Sequence, residues 1–133
     1  MLNQDFDEAV KIYNMAMNDF FKGNPEPINR IYSSSDEISL AQLSGSFILG
    51  RSQVTETASR NAMKYREGET TFEILAKYVT PEFAYIVQVE RTNAKIGGSN
   101  EFLSLALRVT SIFRCENGVW KLLHRHVDSY VNP

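Results

Sequence analysis

The feature that most constrains this chain is a change in hydrophobic periodicity near Thr70. Before that point, apolar residues recur three or four positions apart, in segments separated by glycine and proline, which indicates helices. After it, apolar and polar residues alternate almost to the end, as in strands whose two faces differ. Helices followed by consecutive strands predict an α+β fold, with N-terminal helices packed on a strongly curved antiparallel or mixed sheet.

Glycine, proline and polar turn residues mark the boundaries of the individual helices and strands. The first helix follows Asp5 and ends before Gly23 and Pro25, and two more helices are predicted at residues 27–32 and 52–65. A short strand is predicted at residues 37–43. Longer strands are predicted at residues 71–79, 82–92, 101–115 and 119–131, separated by turns rich in glycine, proline and asparagine.

The size, net charge and cysteine content of the chain limit which domain organisation, partners and cofactors are expected. With 133 residues and 15.2 kDa, the chain is expected to form one domain over residues 1–133. The net charge of −2, without a block of like charges, argues against nucleic acid or an anionic membrane as a partner. Cys115 is the single cysteine, so we expect no internal disulfide and no structural zinc, and we expect no cofactor.

The start of the chain bears on location. It lacks the basic segment and apolar run of a signal peptide. No apolar run approaches the roughly 20 residues of a membrane span. We therefore expect a cytoplasmic protein.

Residues 45–52 nearly match the GxxxxGK[ST] spacing of a phosphate-binding loop. Arg51 replaces the lysine, bulky apolar residues fill the loop, and the alternating strand–helix units that house such loops are missing. We interpret the segment as a loop that folds Phe47 and Ile48 over the core, with Ser52 capping the third helix.

The last hairpin can be paired in two ways. A two-residue loop at Asn117-Gly118 sets Arg114 opposite Lys121, whereas a three-residue loop sets Arg114 opposite Trp120, where a cation can lie over the indole. The second register sorts apolar side chains better and is our prediction. It directs the odd positions of the last three strands, including Tyr85, Val109 and Val127, toward the helices.

The opposite face then carries polar and aromatic side chains that suit a subunit interface. Thr110 is expected beside His124, and Arg108 beside His126. An acid–base role for His124, His126 and Asp128 is the weaker alternative, and a metal site would need Asp128 or Glu90 as a third ligand. We expect no metal. The predicted interface comprises Arg108, Thr110, Trp120, His124, His126 and Asp128, with Gln88 and Glu90 on the same face.

The segment LRVTSIFRCENGVWKLLHRHVDS resembles the end of SnoaL-like, ketosteroid-isomerase-like domains of the nuclear transport factor two-like superfamily. It is also similar to the end of the association domain of calcium/calmodulin-dependent protein kinase II. The shared elements are Thr110, the Asn117-Gly118 turn, Trp120, His124 and His126. The resemblance implies a cone-shaped, cystatin-like fold, a cavity between helices and sheet, and a homodimer formed through the sheet.

The residues that carry activity in such relatives are not matched here. Ketosteroid isomerases use an aspartate base at the first-strand turn, with a tyrosine and a protonated aspartate as donors. Residues 40–43 contain no carboxylate, the late strand offers Thr110 and Ser111, and the tyrosine position falls at Ala16. Dehydratase relatives use cavity histidines with an aspartate, which would require His124 and His126 to face inward.

Arg125 is a charged residue on the otherwise apolar face that is predicted to point inward. Its guanidinium either reaches the rim or a structural carboxylate, or it binds an anion with Ser111 and Tyr85 as hydroxyl partners. The strand register puts no inward carboxylate near it. The other predicted cavity residues are Tyr13, Met17, Tyr32, Phe47 and Met63. Three functions stay open: a small-molecule binding domain whose ligand could be a small carboxylate, a lyase- or isomerase-type enzyme, and an assembly module.

Overall fold

The computed structural model describes residues 3–131. Three helices and six strands follow one another within that range. The helices are α1 (Phe6–Phe20), α2 (Glu26–Ile31) and α3 (Arg51–Ala62), and the strands are β1 (Ser39–Ala41), β2 (Phe47–Leu49), β3 (Tyr65–Val79), β4 (Phe83–Ile96), β5 (Phe102–Glu116) and β6 (Val119–Ser129). None of the helices in the described range is long and apolar enough to cross a lipid bilayer.

The six strands form one mixed sheet in the order β2-β1-β6-β5-β4-β3. Neighbouring strands are antiparallel except for β1, which runs parallel to β6 with Leu40 opposite Arg125. The helices precede the long strands in the chain and bury their apolar sides against the sheet. The predicted α+β architecture is confirmed.

Helix α1 forms where the sequence predicts it. The Asp5 carboxylate accepts a hydrogen bond from the Asp7 N–H and caps the first turn. Acidic residues near the start are favoured by the helix dipole. The buried side of α1, at helical spacing, consists of Phe6, Ala9, Val10, Tyr13, Ala16 and Met17.

Strand β3 begins six residues earlier than predicted, at Tyr65 instead of residue 71. The alternation is interrupted there by a β-bulge, in which Glu67 and Gly68 together lie opposite the single residue Ala94. Gly68 passes so close to α1 that a Cβ atom would lie 2.4 Å from the Phe21 carbonyl oxygen. The glycine is therefore required by the contact between strand and helix.

Residues 45–52 were predicted as a loop that folds Phe47 and Ile48 over the core, and of this only the packing of Ile48 against the core is found. Residues Phe47–Leu49 form β2, an edge strand paired with β1, and Phe47 is 61% exposed. Ser52 does not cap α3, whose N-cap is Gly50. Arg51 holds the loop structurally, because its guanidinium donates to the carbonyl oxygens of Asn29, Tyr32 and Ser33.

The last hairpin adopts the two-residue loop that we did not choose. Asn117 and Gly118 both have positive φ, at 52° and 81°, as a type I′ loop requires. Arg114 consequently lies opposite Lys121, not opposite Trp120. The like charges are separated because Arg114 bonds the Glu116 carboxylate and Lys121 donates to a backbone carbonyl on α2.

The bulge that we predicted at Gly118, in the hairpin loop, instead lies further along β6. Phe113 pairs with Leu122 and Ile112 with His124, so Leu123 is unpaired. The bulge switches which positions face the helices, because the side-chain alternation restarts after it. Trp120 and Leu122 face the helices before Leu123, and Arg125 and Val127 face them after it.

This switch overturns the placement of Trp120 on the outer face. Its indole is 6% exposed and makes an edge contact with Phe6, with ring centroids 5.1 Å apart. The cross-strand partners also shift, because Thr110 lies opposite His126, and Arg108 lies opposite Asp128.

Strand β4 is turned over relative to its predicted orientation. Its even positions, such as Ile86, oppose the odd, buried positions of β5 and face the helices. Tyr85 is therefore outward and 40% exposed, whereas Gln88 and Glu90 are fully buried on the helix side. The odd positions of β4, such as Val87, are more apolar than even positions such as Gln88 and Glu90, so packing against β5 overrides the hydrophobic pattern and decides the orientation of the strand.

Candidate functional site

A cavity of about 370 Å³ lies between the helices and the sheet. All three helices, the β1–β2 hairpin and strands β3, β5 and β6 contribute to its walls. Exposed side chains at the mouth are Leu43, Ser44 and Lys64. Its buried lining residues include Met17, Phe21, Ile28, Tyr32, Leu40, Leu107 and Arg125.

The guanidinium of Arg125 is the charged group of the buried wall. The bulge at Leu123 turns Arg125 toward the helices, where it is 6% exposed. Its Nη1 donates a hydrogen bond to the Tyr13 hydroxyl, which in turn is hydrogen-bonded to the Ser111 hydroxyl at 2.8 Å. A guanidinium has five N–H donors, so the bond to Tyr13 leaves other donors of Arg125 available toward the cavity.

Glu90 is the buried carboxylate that the sequence analysis placed on the wrong face. Its Oε2 lies 3.8 Å from Nη1 of Arg125, and its side chain is fully buried. Within residues 3–131, neither carboxylate oxygen has a hydrogen-bond partner. Arg125 thus has an inward carboxylate beside it after all. The clue in the sequence is Gln88-Val-Glu90, two polar residues on one strand face, which point inward once the register of β4 is known.

Burial controls the ionisation of this cluster. It raises the pKa of Tyr32 to about 12, and it also raises the pKa of Tyr13 above its usual range. Burial raises the pKa of Glu90 as well, and it outweighs the opposing influence of Arg125. Burial acts to lower the pKa of Arg125, but Tyr13, Glu90 and Tyr32 together hold it above its usual value. Arg125 therefore stays charged and both tyrosines stay neutral near neutral pH.

The polar groups at the mouth are tied to one another. Gln42 accepts a hydrogen bond from the Asn61 side chain at 2.8 Å and donates to the Ser46 hydroxyl at 2.8 Å. These bonds connect the β1–β2 hairpin to the end of α3. The mouth is thus a defined rim, beside the apolar interior, with Lys64 as its charged residue.

The outer face of the sheet carries the histidines. His124 Nδ1 lies 2.7 Å from the Ser39 hydroxyl, and the imidazoles of His124 and His126 are 6.4 Å apart. Burial lowers the pKa of His124, and His126 adds to that effect. Arg108 donates two hydrogen bonds to the Asp128 carboxylate, from Nε at 2.9 Å and from Nη2. Neither histidine reaches the cavity, so the inward arrangement that a dehydratase site would need is not formed.

A family model described as "SnoaL-like domain" matches residues 10–132. The chain belongs to the SnoaL-like domain family. No curated protein sequence matches it significantly.

Solved structures resemble this SnoaL-like domain over nearly its whole length. A candidate calcium/calmodulin-dependent protein kinase type II association domain from Thiobacillus denitrificans has a TM-score of 0.80 at 11% identity, covering 98% of this chain and 99% of that chain. A ketosteroid isomerase-like protein from Erwinia carotovora atroseptica has a TM-score of 0.78 at 12% identity, covering 95% and 94%. An uncharacterised protein with a cystatin-like fold from Caulobacter vibrioides has a TM-score of 0.69 at 19% identity, covering 96% and 88%. At these identities the likeness shows the fold, and it confirms the cystatin-like architecture.

The SnoaL-like domain brings together only part of the predicted ligand-binding set. Met17, Tyr32 and Arg125 line the cavity. Tyr13 and Ser111 lie behind the guanidinium and bond to it or to each other.

Three predicted ligand contacts are wrong. Tyr85 lies on the outer face beside Tyr78, Phe47 is on the edge strand, and Met63 is 78% exposed after α3. In the predicted hydroxyl partnership with Arg125, Tyr13 stands in place of Tyr85.

Proposed function

We propose that this SnoaL-like domain, a single domain over residues 1–133, binds a small and largely apolar molecule whose carboxylate contacts Arg125. The observation that carries the proposal is a buried guanidinium in the wall of a mainly apolar cavity of about 370 Å³. Ligand cavities commonly combine an apolar lining with a few placed polar groups that fix orientation.

Arg125 suits a carboxylate because its planar fork can donate two parallel hydrogen bonds. The Tyr13 hydroxyl accepts one bond from Nη1 and fixes the direction of the fork. Packing holds the Tyr13 ring in place, since Tyr13 is fully buried, and the Arg125 side chain is buried as well. A preorganised donor loses little conformational entropy when the ligand binds.

Binding without catalysis is the function that the cavity groups support best. The polar side chains of the cavity wall are Tyr32, Gln42, Ser44, Asn61, Lys64, Tyr65 and Arg125, with Lys64 exposed at the mouth. Tyr13, Ser111 and Glu90 lie behind the guanidinium. An isomerase- or lyase-type enzyme would need a base with access to the substrate. Glu90 does not belong to the cavity wall, and the histidines lie on the other face.

A ligand screen tests the proposal. Benzoate and cyclohexanecarboxylate should raise the melting temperature of the protein, whereas benzamide and cyclohexanecarboxamide should do so much less. The Arg125→Met variant keeps most of the apolar stem and deletes the fork, so the stabilisation by carboxylates should disappear. Calorimetric titration should show the same loss of binding.

Removing Arg125 alone leaves Glu90 buried beside an apolar residue. The double variant Arg125→Met/Glu90→Gln therefore serves as a folded, uncharged reference that also should not bind benzoate. Arg30→Met, on the exposed side of α2, should behave as the unmodified protein. Equal stabilisation of the Arg125→Met variant by carboxylates would rule out the guanidinium as the anchor.

We further propose that the outer sheet face forms a homodimer. Exposed apolar side chains on that face lie beside the Arg108–Asp128 pair and the histidines, which is the mixture found in subunit interfaces. The exposed side chains include Tyr78, Phe83 and Tyr85. A dimer through this face would leave the cavity mouth on the helix side free, so binding and assembly are compatible. A cytoplasmic location remains part of this proposal.

A further inference from the structure

Glu90 places a second ionisable group within reach of the anion site. It is fully buried, its Oε2 is 3.8 Å from Nη1 of Arg125, and neither oxygen has a hydrogen-bond partner within residues 3–131. A buried carboxylate without donors depends on a neighbouring positive charge to remain ionised. Any anion that shares Arg125 competes directly for that charge.

Within residues 3–131, the ionisable groups that interact electrostatically with Glu90 are Arg125, Tyr13 and Tyr32. The residues facing it are Tyr13 on α1, Tyr32 at the end of α2, Leu107 on β5, Phe72 on β3 and Arg125 on β6. Leu107 and Phe72 carry no ionisable group. Arg125 stays charged and the tyrosines stay neutral, so a change in protonation inside the cluster falls on Glu90.

We propose that the cavity takes up its carboxylate ligand together with one proton, and that Glu90 holds this proton. The inference rests on the proposed function, because it requires the ligand carboxylate to bind at Arg125. Above the pKa of Glu90 in the free protein, Glu90 is ionised before binding and its charge balances that of Arg125. A second carboxylate would leave one net negative charge in a buried cluster, and protonation of Glu90 from solvent restores neutrality. In this step the protein takes up one anion and one proton, and no bond in the ligand is broken.

The sign of the pH dependence follows from linkage. The anion binds more tightly to the form with protonated Glu90, so the pKa of Glu90 is higher in the complex than in the free protein. Between those two values, binding takes up a proton and the dissociation constant rises about tenfold per pH unit. Below the pKa of Glu90 in the free protein, the group is already protonated and the affinity no longer changes with pH.

Calorimetric titration with benzoate measures the proton directly. At one pH, the apparent binding enthalpy is determined in buffers that differ in their enthalpy of protonation, and the slope gives the protons taken up. We expect a slope approaching about one proton per bound benzoate within the window where affinity depends on pH. Benzenesulfonate, which stays ionised throughout, should give the same slope and so excludes the ligand as the proton acceptor.

The variant Glu90→Gln should bind benzoate with an affinity that is independent of pH and without proton uptake. Glu73→Gln removes an exposed carboxylate that pairs with Arg91 and should keep the proton uptake of the unmodified protein. The double variant His124→Gln/His126→Gln should keep it as well, because both imidazoles lie on the other face of the sheet. If Glu90→Gln does not fold, the buffer series on the unmodified protein still decides the matter.

The outcomes separate the two proposals. Benzoate binding that depends on Arg125 but has no proton uptake and a flat pH profile overturns the role of Glu90 and leaves the proposed function standing. Binding of benzamide but of no carboxylate at any pH overturns both. Proton uptake that persists in Glu90→Gln assigns the proton to another group and also overturns the inference.

Discussion

The indole nitrogen of Trp120 donates a 2.9 Å hydrogen bond to the backbone carbonyl of Gln4, and the backbone N–H of Trp120 donates one to the Gln4 side-chain oxygen at 3.0 Å. These bonds join the beginning of β6 to the segment that precedes α1. Trp120 therefore belongs to the interior of the protomer, where it packs against Phe6.

Replacing Trp120 by phenylalanine should lower the free energy of unfolding by about 2 kcal/mol, because a buried donor bond is lost and the smaller ring leaves a space. Urea unfolding measures the change. The neighbouring exposed Val119 provides a control, since Val119→Ala should cost less than about 0.5 kcal/mol. A Trp120→Phe variant with unchanged stability and weakened self-association would instead place Trp120 in an interface.

Substitution of Gly68 should be costly although only a methyl group is added. The new Cβ would lie 2.4 Å from the carbonyl oxygen and 2.7 Å from the Cβ of Phe21, so strand and helix must separate. Gly68→Ala should therefore destabilise the protein by about 1–3 kcal/mol. Gly98→Ala is the matched control, because its added methyl group meets nothing within 4 Å. Equal melting temperatures for the two variants would contradict the close approach.

The Tyr13 hydroxyl is hydrogen-bonded to both Ser111 and Arg125. In the Tyr13→Phe variant, Ser111 loses its 2.8 Å partner and Arg125 loses its acceptor. We expect a loss of about 1–3 kcal/mol in unfolding free energy, together with weaker benzoate binding because the fork is no longer held. Tyr85→Phe, on the outer face, should change neither quantity. A Tyr13→Phe variant with normal benzoate affinity would show that the hydroxyl does not position Arg125.

His124 should make stability fall in mild acid. Burial holds its pKa in the folded protein below the unfolded value, so the unfolded chain binds the extra proton first. Its contribution is fully present above the unfolded pKa of about 6.5, and it is lost as the pH falls through the interval down to the lower folded value. Urea unfolding at pH 7.5 and pH 5 should show this loss, and His124→Gln should reduce it. His126→Gln should reduce the loss by a smaller amount, because burial is the main cause of the lowered pKa of His124 and His126 only adds to it. Identical pH profiles for all three proteins would contradict the assignment.

The homodimer is tested by light scattering, which should report about twice the 15.2 kDa of the chain. Thr110→Arg places a bulky charge in the middle of the outer face and should shift the mass toward the monomer. Ser52→Arg, on the exposed side of α3, should leave the dimer intact. A monomer at micromolar concentration for the unmodified protein would exclude the proposed interface.

Apart from β2, the order of the elements was predictable because each depends on local periodicity. The helices and the four long strands appear close to their predicted positions, and the sequence marks their boundaries with glycine, proline and asparagine. Orientation was harder to predict. The Leu123 bulge reverses side-chain alternation within one strand, and a leucine carries no signal that it will be unpaired.

The candidate site shows the same division. Arg125 was predictable as a charge on an apolar face, since its neighbours Leu123 and Val127 are apolar. Glu90 was not, because the orientation of β4 depends on how it registers with β5, and that register follows from tertiary packing. The partnership between Tyr13 and Arg125 spans 112 positions in the chain, a distance at which strand or helix periodicity contains no information.

The parallel pairing of β1 with β6 has a consequence for the order of folding. Ser39 and His124 are 85 positions apart in sequence, so the entropy of closing that long loop opposes the contact until the intervening hairpins have shortened it. On the ribosome, the wall formed by Leu40 and Arg125 can assemble only after the final strand has emerged. The helices are synthesised first, yet the cavity that they cover is completed last, and amide exchange in β1 should become protected later than in β4 and β5.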